Sequence, residues 1–168
     1  MTIKPNAQAF LDMIDTHKGI IYKIANSYCK DKENRKDLIQ EIIIQLWLAF
    51  EKYDPTYKIS TWMYTIALNV SISFYRKEHR RHQINHSLPE VIHLYEQTEV
   101  EDTHVDIERL QVFIKELKEI DRAVMLLYLE DTPQEEIAQI LGITSTNVST
   151  KIYRIKQQLK QKFSTINT

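Results

Sequence analysis

Between Ser145 and Lys156 the chain strings together Ser145, Thr146, Asn147, Ser149, Thr150, Lys151, Arg154 and Lys156, short hydroxyl and amide side chains followed by cations. Such groups hydrogen-bond base edges and neutralise phosphates. From Gly142 to Thr168 there are five basic residues and no acidic one, which suits a polyanion. A helix face that merely meets water would use the same residue types, so the surrounding pattern has to decide. Ile137 and Ala138 are spaced to face a core, Gly142 supplies a turn, Ile143 plugs it, and Val148 and Ile152 anchor the following helix. Residues 134 to 153 therefore fit a helix-turn-helix, whose second helix enters the major groove.

A second basic cluster, Arg76, Lys77, Arg80 and Arg81 against Glu78, lies between Thr61 and His86. The segment from Ser87 to Leu110 is the reverse, with seven acidic residues against Arg109. Two basic helical modules on an acidic tether are implied. His79, His82 and His86 have helical spacing for metal ligands, but the surrounding cations oppose a bound metal. Cys29 lies late in an apolar helix and reads as a small buried hydrophobe. Carboxylate pairs such as Glu135 and Glu136 sit at helix starts, where they favour the helix dipole. No His or Ser completes a catalytic set, so neither an enzyme nor a cofactor is expected.

These groups must be positioned by helices. Two glycines and four prolines among 168 residues leave few of the tight turns that a β-rich fold needs. The fold class expected is all-α, with two small helical domains joined by a flexible acidic linker. Apolar periodicity predicts helices over residues 5–29, about 34–52 with Asn34 as N-cap, and about 60–82 with Ser60 or Thr61 as cap. It predicts others from near Asp106, over 120–129, from the Thr132-Pro133-Gln134-Glu135 capping box to Leu141, and from about Ser145. Residues 83–105 read as the linker, with a short helical turn around Val91 to Tyr95. The domains are then 1–82 and 106–168. The longest apolar run, Val124 to Leu129, is too short to cross a bilayer, and a single cysteine fits a reducing, cytoplasmic setting.

Asp37-Leu-Ile-Gln-Glu41, Leu46-Trp47, Lys52-Tyr-Asp-Pro55 and Ile59-Ser-Thr-Trp62-Met-Tyr-Thr-Ile-Ala-Leu-Asn69-Val together resemble the second conserved region of bacterial sigma factors. Glu135-Glu-Ile-Ala-Gln-Ile-Leu-Gly-Ile143, with Val148 and Arg154, resembles their fourth. The absence of the other regions and the short linker resemble the extracytoplasmic-function group. The resemblance implies promoter-specific transcription initiation, with core RNA polymerase and promoter DNA as partners. It implies docking of Asp37, Gln40, Glu41 and Trp47 on the β′ clamp helices, joined at helical spacing by Ile44, and a β-flap contact for the second domain. Lys58, Ser60, Thr61, Trp62, Tyr64, Thr65 and Asn69 match positions that melt and capture the −10 element, with Tyr75, Arg76, Arg80 and Arg81 on phosphates. The residues from Ser145 to Lys156 named above would then bind the −35 element. An anti-sigma factor is a further implied partner. Glu96, Glu99, Glu101 and Asp102 would either mimic nucleic acid in the polymerase channel or form a solvated tether. A repressor or activator, or a helical protein-interaction module, remains compatible with the residue pattern itself.

Overall fold

The computed structural model describes residues 6–84 and 102–166. Seven helices occupy them: α1 (Ala7–Tyr28), α2 (Lys32–Phe50), α3 (Ile59–Ile84), α4 (Asp102–Glu116), α5 (Glu119–Leu129), α6 (Gln134–Leu141) and α7 (Ser145–Ile166). No strand occurs among the described residues. The turn expected around Val91 to Tyr95, and His86, Glu96, Glu99 and Glu101, lie outside them.

In the first module Phe10, Ile21 and Ile24 of α1 meet Leu38, Ile42 and Leu46 of α2 and Met63, Leu68 and Ile72 of α3. Ile21 and Ile24, Leu38, Ile42 and Leu46, and Met63 with the buried Ala67 are three or four residues apart, so each helix buries one stripe. In the second module Val124 and Leu127 of α5, Ile137 and Ile140 of α6, and Val148 and Ile152 of α7 are buried together. Those two sets belong to one continuous apolar cluster. A smaller cluster of Phe113, Ile114, Leu117, Met125 and Ile155 ties α4 to α5 and α7.

Several helix starts differ from the sequence expectation; α4 begins at Asp102 rather than near Asp106, so residues 102–105 are helix and not linker. Asp31, not Asn34, caps α2, its carboxylate accepting the Asn34 N–H at 2.9 Å. The helix thereby gains a turn, which the equally good capping type of Asn34 concealed. Helix α3 starts at Ile59, before Ser60 and Thr61. Pro133 rather than Thr132 occupies the N-cap of α6, and no side chain caps it. The Thr132 N–H is held instead by the Leu127 carbonyl at 3.1 Å, in a turn where Asp131 takes φ 56°. Gly142 does make the expected left-handed turn at φ 68°, and the Ile143 N–H closes it on the Ala138 carbonyl at 3.1 Å.

Cys29 is buried, and burial raises its thiol pKa. Because the thiolate is the reactive form, Ellman's reagent at neutral pH is expected to modify the native chain at least about tenfold more slowly than the denatured one. Equal rates would place Cys29 at the surface.

Candidate nucleic-acid interface

Thr144 prepares the start of α7: its hydroxyl accepts the Asn147 N–H at 3.1 Å and its carbonyl the Val148 N–H at 3.0 Å. With Val148, Ile152 and Ile155 buried, the first turns of α7 expose Ser145, Thr146, Asn147, Ser149, Thr150 and Arg154. The Ser149 hydroxyl bonds Gln134 on α6, and the Thr150 hydroxyl turns back to the Thr146 carbonyl at 3.0 Å. Two cations lie at the edges of this face and are engaged by α5. Lys151 pairs with Asp121 at 2.7 Å, both side chains about a quarter exposed. Lys156 lies over the Tyr128 ring at 4.6 Å. Tyr153, 66% exposed between Thr150 and Arg154, joins the outward face. Sequence reasoning passed over it, though an aromatic one residue after the anchor Ile152 was the available signal.

On α3, Lys58 immediately precedes the helix, and Trp62, Thr65, Asn69, Arg76 and Arg80 are spaced to share a face. Asn69, Arg76, Arg80 and Arg81 are exposed, while Ser60 and Thr65 are half-buried. Trp62 is half-buried on Tyr53 and Phe50, with ring centroids 5.0 and 6.3 Å away. It is thus partly core and partly available. Tyr64 turns sideways: its phenol oxygen accepts from Lys23 Nζ at 3.0 Å. Tyr75 stacks on His79 and meets Tyr28 edge-on.

The two modules touch along this same helix. Arg122 of α5, 3% exposed, donates to the Ser27 carbonyl of α1 at 2.8 Å and to the Lys115 and Leu117 carbonyls of its own module. Its guanidinium also lies over the rings of Tyr28 (5.1 Å) and Tyr75 (4.9 Å). The Tyr28 hydroxyl donates to the Glu119 carbonyl at 2.6 Å, and burial raises its pKa. Arg76 Nε bonds the Glu119 carboxylate at 2.8 Å, and this bond holds that carboxyl below its usual range. The contribution of Glu119 is therefore complete above the ordinary carboxylate pKa and fades as the pH falls through the lowered folded value. Farther along, the Glu136 carboxylate accepts from the Thr61 hydroxyl at 2.5 Å and pairs with Lys58 at 3.6 Å. Lys23 pairs with Glu130 at 2.7 Å; burial opposes its charge, but the bonds to Glu130 and Tyr64 prevail and raise its pKa.

On α2 an exposed stripe runs through Asp37, Glu41, Ile44 and Leu48, with Gln40 beside it. Ile44 is 50% and Leu48 65% exposed. Leu48 escaped the sequence reading, although it lies one turn beyond Ile44. Trp47 is half-buried against the core and edge-on to Phe10 at 4.9 Å, so it faces inward rather than along the exposed stripe. Among the described residues no group of His, Cys, Asp and Glu side chains is placed to hold a metal, and no helix is long and apolar enough to cross a membrane.

Residues 13–81 match the family described as Sigma-70 region 2, and residues 107–159 match Sigma-70, region 4. The ECF RNA polymerase sigma factor SigW of Bacillus subtilis is 28% identical, with 95% of this chain and 91% of SigW aligned. In the solved complex of CnrH with the cytosolic domain of CnrY, a chain of the same fold superposes with a TM-score of 0.67 at 20% identity, over 96% of this chain and 91% of that one. The sigma factor RpoE of Bartonella quintana, solved with the anti-sigma factor NepR, gives 0.66 at 18% identity, over 96% and 98%.

Proposed function

The chain belongs to the sigma-70 family, in its extracytoplasmic-function group, and serves promoter-specific transcription initiation; from that premise we propose a division of labour among its exposed faces. Helices α1 to α3 dock on core polymerase and open the −10 element, the segment between Ile84 and Asp102 connects, and α4 to α7 read the −35 element. The α2 stripe of Asp37, Glu41, Ile44 and Leu48, flanked by Gln40, is the surface for the β′ clamp helices. An apolar edge beside carboxylates suits a coiled coil that carries basic side chains. Lys58, just before α3, and Thr61, Trp62, Thr65 and Asn69 on it capture unstacked bases, and Arg76, Arg80 and Arg81 hold the backbone. Aromatic faces there replace lost base stacking, at roughly 1–3 kcal/mol per base. The chain regulates polymerase in the cytoplasm without catalysing a reaction itself. Its control by an anti-sigma factor is supported by the RpoE relative, solved with NepR.

The observation that carries this reading is the order of the two regions on one chain, with the polar face of α7 and Asn69, Arg76, Arg80 and Arg81 of α3 exposed. Run-off transcription tests it. Bacterial core polymerase given genomic fragments is expected to make discrete transcripts only when the chain is added. A repressor or activator would leave core unable to initiate, and that result would overturn the proposal. Within this frame, Asp37→Ala combined with Gln40→Ala is expected to weaken core binding roughly tenfold, about 1.4 kcal/mol. Both residues are exposed, so far-UV circular dichroism should not change. Undiminished capture of core would remove α2 from the docking surface.

A further inference from the structure

We infer that the cleft between α1, the start of α2, α4 and α5 is a binding site for a nucleoside diphosphate, separate from the promoter and polymerase faces. The cleft encloses about 700 Å³, within the range of about 300–1,000 Å³ usual for small-molecule sites. Its lining includes three cations, Lys23, Arg35 and Lys115, and one acid, Glu130. Glu130 is already paired with Lys23 at 2.7 Å. Arg35 and Lys115 make no ion pair among the described residues. Two uncompensated positive charges therefore line one concavity, which suits a small ligand with two or more negative charges.

Arg35 is prepared for phosphate oxygens. Its Nε donates to the Cys29 carbonyl and its Nη2 to the Lys30 carbonyl, both at 3.1 Å. These bonds fix the plane of the half-buried guanidinium just past the end of α1, while Nη1 makes no hydrogen bond among the described residues. A guanidinium held in this way loses little further freedom when its remaining N–H groups meet an anion. The rest of the lining is more than a free phosphate needs. Ile114, Leu126 and Leu129 supply an apolar wall, and Leu129 is left 49% exposed. A flat aromatic ring laid on that wall would take its surface out of water. The exposed amides of Asn26 and Gln111 each add a donor and an acceptor for a ring edge. Cations, an apolar wall and two amides in one cleft match a phosphorylated nucleoside. Helices α1 and α2 form one side and α4 and α5 the other, so the ligand bridges both modules.

Isothermal titration calorimetry on the full chain tests the assignment, with ADP and GDP as probes and with inorganic pyrophosphate and adenosine as the separate halves of the ligand. At least one nucleotide is expected to bind one-to-one with a dissociation constant of roughly 10–100 μM, about tenfold more tightly than pyrophosphate. Adenosine should give no binding heat. Lys115→Gln, at an exposed side chain with no ion pair among the described residues, is expected to weaken the nucleotide about tenfold. Arg35→Gln combined with Lys115→Gln should abolish binding. Far-UV circular dichroism checks that this chain stays folded, and Lys115→Gln alone decides the matter if it does not. Arg80→Gln combined with Arg81→Gln, which removes the same charge from α3, should leave nucleotide affinity unchanged. An equal loss in that α3 variant would mean adventitious anion binding on the DNA surface and would overturn the inference. So would pyrophosphate binding as tightly as both nucleotides, Lys115→Gln without effect, or no heat from ADP and GDP at about 1 mM.

Discussion

Replacing Arg122 with methionine is expected to lower the melting temperature by roughly 10 °C, the counterpart of about 3 kcal/mol in a domain of this size. The side chain is almost wholly buried, and its two terminal nitrogens satisfy the carbonyls of Ser27, Lys115 and Leu117. Methionine fills much of the same volume but donates nothing. Three carbonyls lose a charge-assisted donor, and each buried orphan costs about 1–3 kcal/mol unless water reaches it. The cation over Tyr28 and Tyr75 disappears as well. Arg122 Nε has no partner among the described residues, so nothing is lost there. Arg122→Lys should recover little, because an ammonium is a compact point charge that cannot fork to separated carbonyls. Thermal unfolding followed by circular dichroism measures all three chains. A shift below about 2 °C for the methionine variant would mean that water replaces the guanidinium, and that the seam is wetter than its burial indicates.

Arg122 also marks where the sequence stopped being legible. Helix-forming stripes depend on local spacing, so the seven helices and the α6–turn–α7 unit could be read from Ile137, Gly142, Val148 and Ile152. An arginine beside Asp121 at the head of the apolar helix over 120–129 was visible too, but its partners lie on α1, on α3 and around the end of α4, and spacing along one helix does not reveal them. The same limit applies to cations. Lys151 and Lys156 belong to an acid-free stretch and read as DNA contacts, yet the edge of α7 that carries them turns toward Asp121 and Tyr128 of α5. Spacing gives the angle around a helix and leaves open what stands opposite. Trp47 illustrates the converse, since helical spacing alone puts it on the flank of the apolar stripe of α2, where it meets Phe10 edge-on, although its motif suggests a polymerase contact.

Those placements sharpen what substitutions on α7 should do to −35 recognition. Asn147, Thr150 and Arg154 are exposed on its outward face and, among the described residues, make no ion pair. Asn147 and Thr150 lie in the first turns, which enter the major groove, and Arg154 one turn farther. Removing a base contact costs roughly 1–3 kcal/mol and relaxes one position, whereas removing a phosphate contact weakens all sequences alike and lowers the salt slope by about 1. Arg154→Ala, which deletes a side chain able to grip guanine with two hydrogen bonds, is expected to show the larger base-specific loss, about tenfold to a hundredfold at one position. Asn147→Ala should blur a neighbouring position by less. Lys156→Ala should flatten the salt dependence and leave the preferred sequence intact, because its ammonium lies beside Tyr128 on the flank. Lys151→Ala should act first through Asp121, lowering the stability of the second module before it changes any preference. Holoenzyme selections from templates randomised across the −35 element, at two salt concentrations, separate these outcomes. If Arg154→Ala and Asn147→Ala leave the selected sequence unchanged while affinity falls uniformly, α7 reads groove shape and phosphates, and its amide and guanidinium groups position the helix without specifying bases.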